Sequence, residues 1–353
     1  MTTRRAFLAG LAAASLPRVS WAEVGSPAFL AAGKLGDGFV LHGLTVQGDS
    51  LFQIALPARG HAAAGHPTQA LAVAFARRPG TFALVIDCLT GQVRHQITPP
   101  IGRQFNGHGV FSADGALLMT SEVVAEGSAG RIGVWDTTDF RRIAEWDSGG
   151  IGPHDLKRLS GGRLVVANGG IQTDPGDRTK LNLADMRPNL TLLAPDGTLL
   201  DQVSLPDDLR QNSIRHLAVL GDGVAFAMQW QGDTALPVPQ LGLWTPGTNP
   251  RLCPPQEAEA FVMKGYAGSI AVSPAAKLIG LTSAPGGAAM LFDLTGTPLA
   301  THPRADISGI APGPGGLIAT DAQGGIWQVD AHGIAPLTRS GVAWDNHLIL
   351  LET

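Results

Sequence analysis

One pattern recurs along most of this chain. A polar slot is followed by a short apolar strand, a Gly or Asp-Gly turn and a second apolar strand. It runs through Gly60–Ala74, Gly107–Glu122, Pro153–Ala167, Arg215–Met228, Tyr266–Ser283 and Gly309–Thr320. Each copy reads as a β-hairpin. A third strand follows and ends in a similar turn, as in Val85–Gly91, Val134–Asp136, Leu192–Gly197, Leu291–Gly296 and Trp327–Asp330. A fourth strand then leads into the next copy. Four antiparallel strands in roughly 40–50 residues make one propeller blade. Inner strands start near positions 61, 108, 154, 216, 269, 309 and 347, which gives seven blades. The last start, Asn346–Glu352, leaves too little chain for its own blade, whereas Ala28–Leu35, Gly38–Val46 and Ser50–Pro57 read as three strands with none to begin them. The expectation is an all-β, seven-bladed β-propeller of four-stranded antiparallel blades. Its N-terminal strands pair with the C-terminal strand to close the ring and remove its open edges. Six- and eight-bladed rings are the rivals.

Composition narrows the function classes. The net charge is −4, with five lysines and no basic block, which argues against generic nucleic-acid or polybasic membrane binding. The 46 glycines and 25 prolines suit tight turns, while 44% hydrophobic residues supply a core. The first residues read as an address. Thr3-Arg4-Arg5-Ala6-Phe7-Leu8, an Ala/Leu-rich stretch to Leu16 and the small-x-small site Ser20-Trp21-Ala22 have the order of a twin-arginine signal peptide. Residues 1–22 are thus expected to be a leader and 23–353 a single propeller domain, exported to the periplasm. Cys88 and Cys253 fall in blades that are not neighbours, so two free, buried thiols are expected.

Five of the ten histidines occupy the inner-strand slot: His61, His108, His154, His216 and His347. Ser269 and Ser308-Gly309 fill the other two slots. Equivalent strand positions point the same way, so a ring of imidazoles is expected on the top face, where inner strands begin. Neutral imidazole is the commonest ligand for transition metals. The other readings are hydrogen-bonding structural residues, as in the Gly-His pair of WD-type repeats, and anion binding. His108 lies four residues before Ser112, within the strand and beyond the turn where a WD-type histidine sits. The ends of second strands add Arg77 and Arg78, Glu122, Asn168 and Gln229, all in blades 1 to 4. Blade 3 is the longest, owing to the segment from Ile171 to Asn189, which carries Arg178, Lys180 and Asn182. Long loops on a rigid scaffold concentrate function. Nucleophile-elbow, P-loop, His-Glu-x-x-His and haem-attachment motifs are absent from the sequence.

Several runs resemble one bacterial family: Gly152-Pro-His-Asp-Leu156, Leu164–Ile171 with Asn-Gly-Gly-Ile, Thr179–Met186 with Lys-Leu-Asn-Leu, and Ser213-Ile-Arg-His-Leu217. Ala76–Gly80 and Gly107–Phe111 resemble it too. The family is the twin-arginine-exported propeller group known as domain of unknown function fifteen-thirteen. This chain has Thr173-Asp174-Pro175 where that family has Thr-His-Pro, so no ligand role is carried to position 174. The resemblance implies a setting beside imelysin-like and di-haem-peroxidase-like periplasmic proteins, and hence iron or other metal uptake. The leading expectation is a periplasmic binding or accessory protein in metal acquisition. Its hub histidines would hold iron or copper, and Arg77, Arg78 and Arg215 would hold an anionic part of the ligand. A metal-dependent hydrolase or oxidoreductase with Glu122 as base is the second reading, and a protein–protein scaffold the third.

Overall fold

The computed structural model describes residues 19–77 and 81–351. They form seven four-stranded antiparallel sheets arranged as the blades of a propeller. Blade 1 begins with inner strand Gly60–Gly65, blade 2 with Arg103–Phe111, blade 3 with Pro153–Arg158 and blade 4 with Asn212–Leu220. Ser269–Ser273 and Ile307–Gly313 open blades 5 and 6. Blade 7 joins the two ends of the chain. Val342–Leu350 is its inner strand, and Phe29–Leu35 pairs with it from Phe29 opposite Leu350 to Leu35 opposite Val342. Gly38–Leu44 and Ser50–Leu56 complete the sheet. The ring therefore closes with one C-terminal and three N-terminal strands.

Second strands are covered on both faces by neighbouring blades, so they read as apolar runs. Leu71–Ala76 and Leu278–Ser283 are buried at every position. Outer strands meet solvent, and Gln92–Ile97 is exposed except at Ile97. The core lies between blades rather than around one centre. Phe75 and Val85 of blade 1 pack with Phe105, Leu118 and Trp135 of blade 2. Ala225 and Leu241 of blade 4 pack with Ile279 and Phe292 of blade 5. Cys88 and Cys253 are both free and buried, in blades 1 and 4. Burial pushes the Cys88 thiol up to about 12.

Residues 1–18 of the expected leader lie outside the described residues. The segment that follows is docked on the propeller. Trp21 is buried in the core between blades 7 and 1, and its indole donates to the His66 carbonyl at 2.7 Å. The Val19 carbonyl accepts from the Ala70 amide at 2.8 Å. The Glu23 carboxylate accepts from the Ser20 amide at 2.6 Å, closing a single 3-10 turn. Among the described residues no helix is long and apolar enough to cross a membrane.

Candidate metal centre at the propeller hub

A regular inner strand would carry its slot residue past the axis in simple alternation. Six of the seven inner strands break that alternation at the slot. The pairing register slips between Gly60 and Ala63, Phe105 and Gly109, Pro153 and Asp155, Ile214 and His216, and Ile307 and Ile310. In blade 7 it slips between Trp344 and Leu348. Blade 5, with Ser269, pairs without a slip. Such bulges bend a strand and re-aim its side chains, and here all five slot histidines sit in or beside one. Gly107, at φ +96°, belongs to the blade 2 bulge; a Cβ there would overlap the His61 ring. Ser121 ties two of the bulges together by donating to the carbonyls of His108 (3.2 Å) and His154 (3.3 Å).

The five imidazoles form one cluster. Ring centres of His61 lie 5.0 Å from His108, 5.5 Å from His154 and 4.6 Å from His347. His108 is 4.9 Å from His154, 5.7 Å from His216 and 4.8 Å from His347. His216 completes the ring at 4.7 Å from His154 and 4.8 Å from His347. Metal–nitrogen bonds of about 2.0–2.1 Å place ring centres roughly 3 Å from an ion, so adjacent ligands of one ion have centres roughly 4.5–5 Å apart. The observed spacings fall at or just beyond that range. Two triads, His61–His108–His347 and His108–His154–His216, each offer ring nitrogens within 4.8 Å of one another. Three atoms so spaced lie within about 2.8 Å of a common point, a little outside bonding distance.

The surroundings keep three of these rings, His154, His216 and His347, neutral. His108, His154, His216 and His347 are 4–6% exposed, and His61 is partly buried. Burial, followed by the neighbouring imidazole of His108, lowers the pKa of His216 to about 3. Burial and adjacent rings hold His154 and His347 well below the usual imidazole range. Neutral rings carry the lone pair that a metal needs. Four buried ring nitrogens, Nε2 of His108 and His347 and Nδ1 of His154 and His216, have no hydrogen-bond partner among the described residues.

Asp155 organises the cluster, and sequence reasoning missed it. Its Oδ1 lies 3.3 Å from His108 Nδ1 and 3.3 Å from Lys157 Nζ, and accepts from the Leu156 amide at 2.8 Å. Its Oδ2 accepts from the Leu217 amide in blade 4 at 2.9 Å. Burial alone would raise its pKa; Lys157 and His108 outweigh this and hold the carboxyl well below the usual range. A carboxylate on Nδ1 fixes the tautomer that leaves Nε2 of His108 free to ligate. Its sequence signal was its place directly after His154, in a strand that also carries Lys157 and Arg158.

The cluster is not an open ring on the top face. It forms the upper end of a cavity of about 480 Å³ running down the axis. His108, His216, His347 and Asp155 stand at that end, while Ala64, Val110, Ala218, Val272 and Leu348 line the way down past Lys157. Most of the lining below the slots is apolar, with Lys157 and Arg158 among it.

The remaining site candidates divide. Arg77, Arg178 and Arg215 gather above the histidines, and Arg78 lies outside the described residues. Glu122 does not reach the hub: it is buried within blade 2, where its Oε1 accepts from Arg142 (2.8 Å) and Thr120 (2.7 Å). Its carboxylate lies over Gly133 of the paired third strand. Burial raises its pKa against the pull of Arg142. Asn168 is consumed by structure, bonding Ser148, Asn189 and Thr191. Asn182 pins the long blade 3 loop by donating to Gly170 O (2.9 Å) and accepting from the Gln172 amide (2.7 Å). Lys180 reaches Gln231 at 2.5 Å, and Gln229 donates to Ala267 O at 3.2 Å, both joining loops of the upper face.

The family described as Protein of unknown function (DUF1513) matches residues 54–351, from blade 7 around to blade 7 again. This chain belongs to that family. No curated protein matches the sequence. Solved structures of similar shape include one titled "Structure of U3-55K", with TM-score 0.58 and 12% identity, covering 80% of this chain and 82% of that one. Another is titled "Crystal Structure of Mitotic Checkpoint Complex", with TM-score 0.56 and 10% identity over 80% of each chain. At such identities the likeness to this DUF1513 member is one of fold alone.

Proposed function

We propose that this chain is an exported metal-binding propeller. Its hub would hold one transition-metal ion on nitrogens drawn from His61, His108, His154, His216 and His347. One observation carries the reading: five histidines from five consecutive blades, four of them buried, converge with two triads of ring nitrogens inside 4.8 Å. An all-imidazole set suits iron, copper, nickel or zinc. The twin-arginine motif supports a periplasmic location, and the family resemblance supports a role as accessory in iron or copper acquisition, beside an imelysin-like or peroxidase-like partner. Elemental analysis of protein exported with its own leader tests the proposal. About one equivalent of metal is expected, falling by at least tenfold in H108A and H154A. Protein that is metal-free as exported and stays so after titration with Fe(II), Cu(II) and Zn(II) refutes it.

A second reading has one observation in its favour. The axial cavity, of about 480 Å³ with mostly apolar walls, ends on three of the histidines and has the size of a small-molecule site. Metal-dependent oxidation or hydrolysis of a small apolar substrate would take place there, without Glu122. Loss of turnover in A218F, which narrows the cavity while leaving the histidines in place, would separate this reading from metal carriage.

A further inference from the structure

Above the histidines a second group of residues has no part in holding a metal. Arg215 is the extra residue in the blade 4 bulge, skipped when Ile214 pairs Met228 and His216 pairs Ala227. It is 7% exposed, and its guanidinium lies against Gly169 at the end of the second strand of blade 3. Among the described residues no carboxylate pairs with it, and its Nε has no hydrogen-bond partner. A guanidinium without a partner in such a place is costly. Its neighbours do not relieve it. Arg178 is close enough for its charge to act on it, and that charge is repulsive; Tyr266, a neutral phenol, stands beside it.

The same group extends across the upper face. Arg77 is half-buried at the end of the second strand of blade 1 and feels Arg59, Asp345, Arg178 and Tyr266. Arg59 is satisfied by Asp345, with bonds of 2.6 and 3.0 Å. Among the described residues, Arg77, Arg178 and Arg215 have no acidic partner within ion-pair distance. Tyr266 accepts at its hydroxyl from Asn346 Nδ2 at 3.3 Å, which leaves the phenolic hydrogen to donate. Arg178 acts on both Arg77 and Arg215, so three guanidiniums without an ion-pair partner stand near one another in a chain whose net charge is −4. Guanidinium forks match the paired oxygens of carboxylates and phosphates.

We infer that this upper vestibule is a binding site for a small oxyanion, a carboxylate or a phosphate, with Arg215 as its buried anchor and Arg77, Arg178 and Tyr266 around it. The site is separate from the axial cavity, whose lining includes none of Arg77, Arg178, Arg215 and Tyr266. The test uses full-length protein, stripped of metal and dialysed free of chelator, in a buffer without multivalent anions. Potassium phosphate and potassium oxalate are titrated by calorimetry, with thermal melts in parallel. Saturable binding of at least one probe at one site per chain is expected. R215M should weaken it by at least about tenfold, while melting above wild type without anion, because the unpaired charge is gone. R178Q, on the exposed loop, should weaken binding severalfold with its melt unchanged. Preference for phosphate assigns a tetrahedral oxyanion, and preference for oxalate a carboxylate. Absence of binding by both probes, or equal binding by wild type and R215M, overturns the inference. Should R215M fail to fold, R178Q and R77Q decide, and unchanged binding in both overturns it. Metal content does not enter any of these readouts.

Discussion

A single carboxylate shows how much the hub histidines depend on groups behind them. Asp155 touches His108 of blade 2, Lys157 of its own strand and the Leu217 amide of blade 4. D155N keeps the shape and one acceptor oxygen but removes the charge that selects the His108 tautomer. Its metal affinity, measured by chelator competition, should fall by about 10–100-fold. Unchanged affinity would reduce Asp155 to a structural link between blades. The thiols give a separate check on burial. Ellman's reagent should find no reactive thiol in native protein and two in denaturant, since burial holds both Cys88 and Cys253 in the thiol form. The histidine slots were legible because an identical residue at a fixed place in a long repeat needs no knowledge of partners. Asp155 was not. What sets it apart lies across the blade boundary, and spacing along one strand carries no information about that.

At the level of the strand, the bulges do the aiming. Register depends on how two strands pair, so the slips could not be read from either strand alone. The same limit explains why Glu122, Asn168 and Asn182 looked available from the sequence: each ends a strand or enters a loop, yet each is tied to neighbouring backbone or side chains. Gly107 tests the aiming directly. G107A would force a Cβ into the His61 ring at a left-handed φ. A loss of about 1–3 kcal/mol of stability is expected from denaturant melts, together with weaker metal binding. A stability loss with full metal affinity would show that His61 is not a ligand. The docked turn at the start of the described chain makes a further prediction. Protein beginning at Glu23 lacks the Trp21 indole that fills the core between blades 7 and 1. It should unfold about 3–5 kcal/mol more easily than protein beginning at Val19. Equal stability of the two would mean that the indole is replaced by its neighbours at no cost.

For the whole ring, closure was the most legible feature, because three strands without a first and one without a successor can only complete each other. A chain ending at Gly341 loses the inner strand of blade 7, His347 and the partner of Phe29–Leu35. It should elute from a sizing column as aggregates, because an open apolar edge invites pairing between molecules. A monomeric, cooperatively melting truncation would argue against closure as the source of stability. Metal should act at the same scale. On the proposed reading, a metal held by histidines of several blades would stabilise only the closed ring, by about 4 kcal/mol when present at 1,000 times its dissociation constant. Blade 7 also sets the order in which the hub can be assembled. Its imidazole stands on the last strand of the chain, whereas that strand's sheet partners come from the first sixty residues. During synthesis four of the histidines exist on the growing polypeptide well before the fifth. On the proposed reading, a nascent chain lacks the His61–His108–His347 triad until its two ends have met, and metal held by that triad would serve as a stamp that the circle is finished.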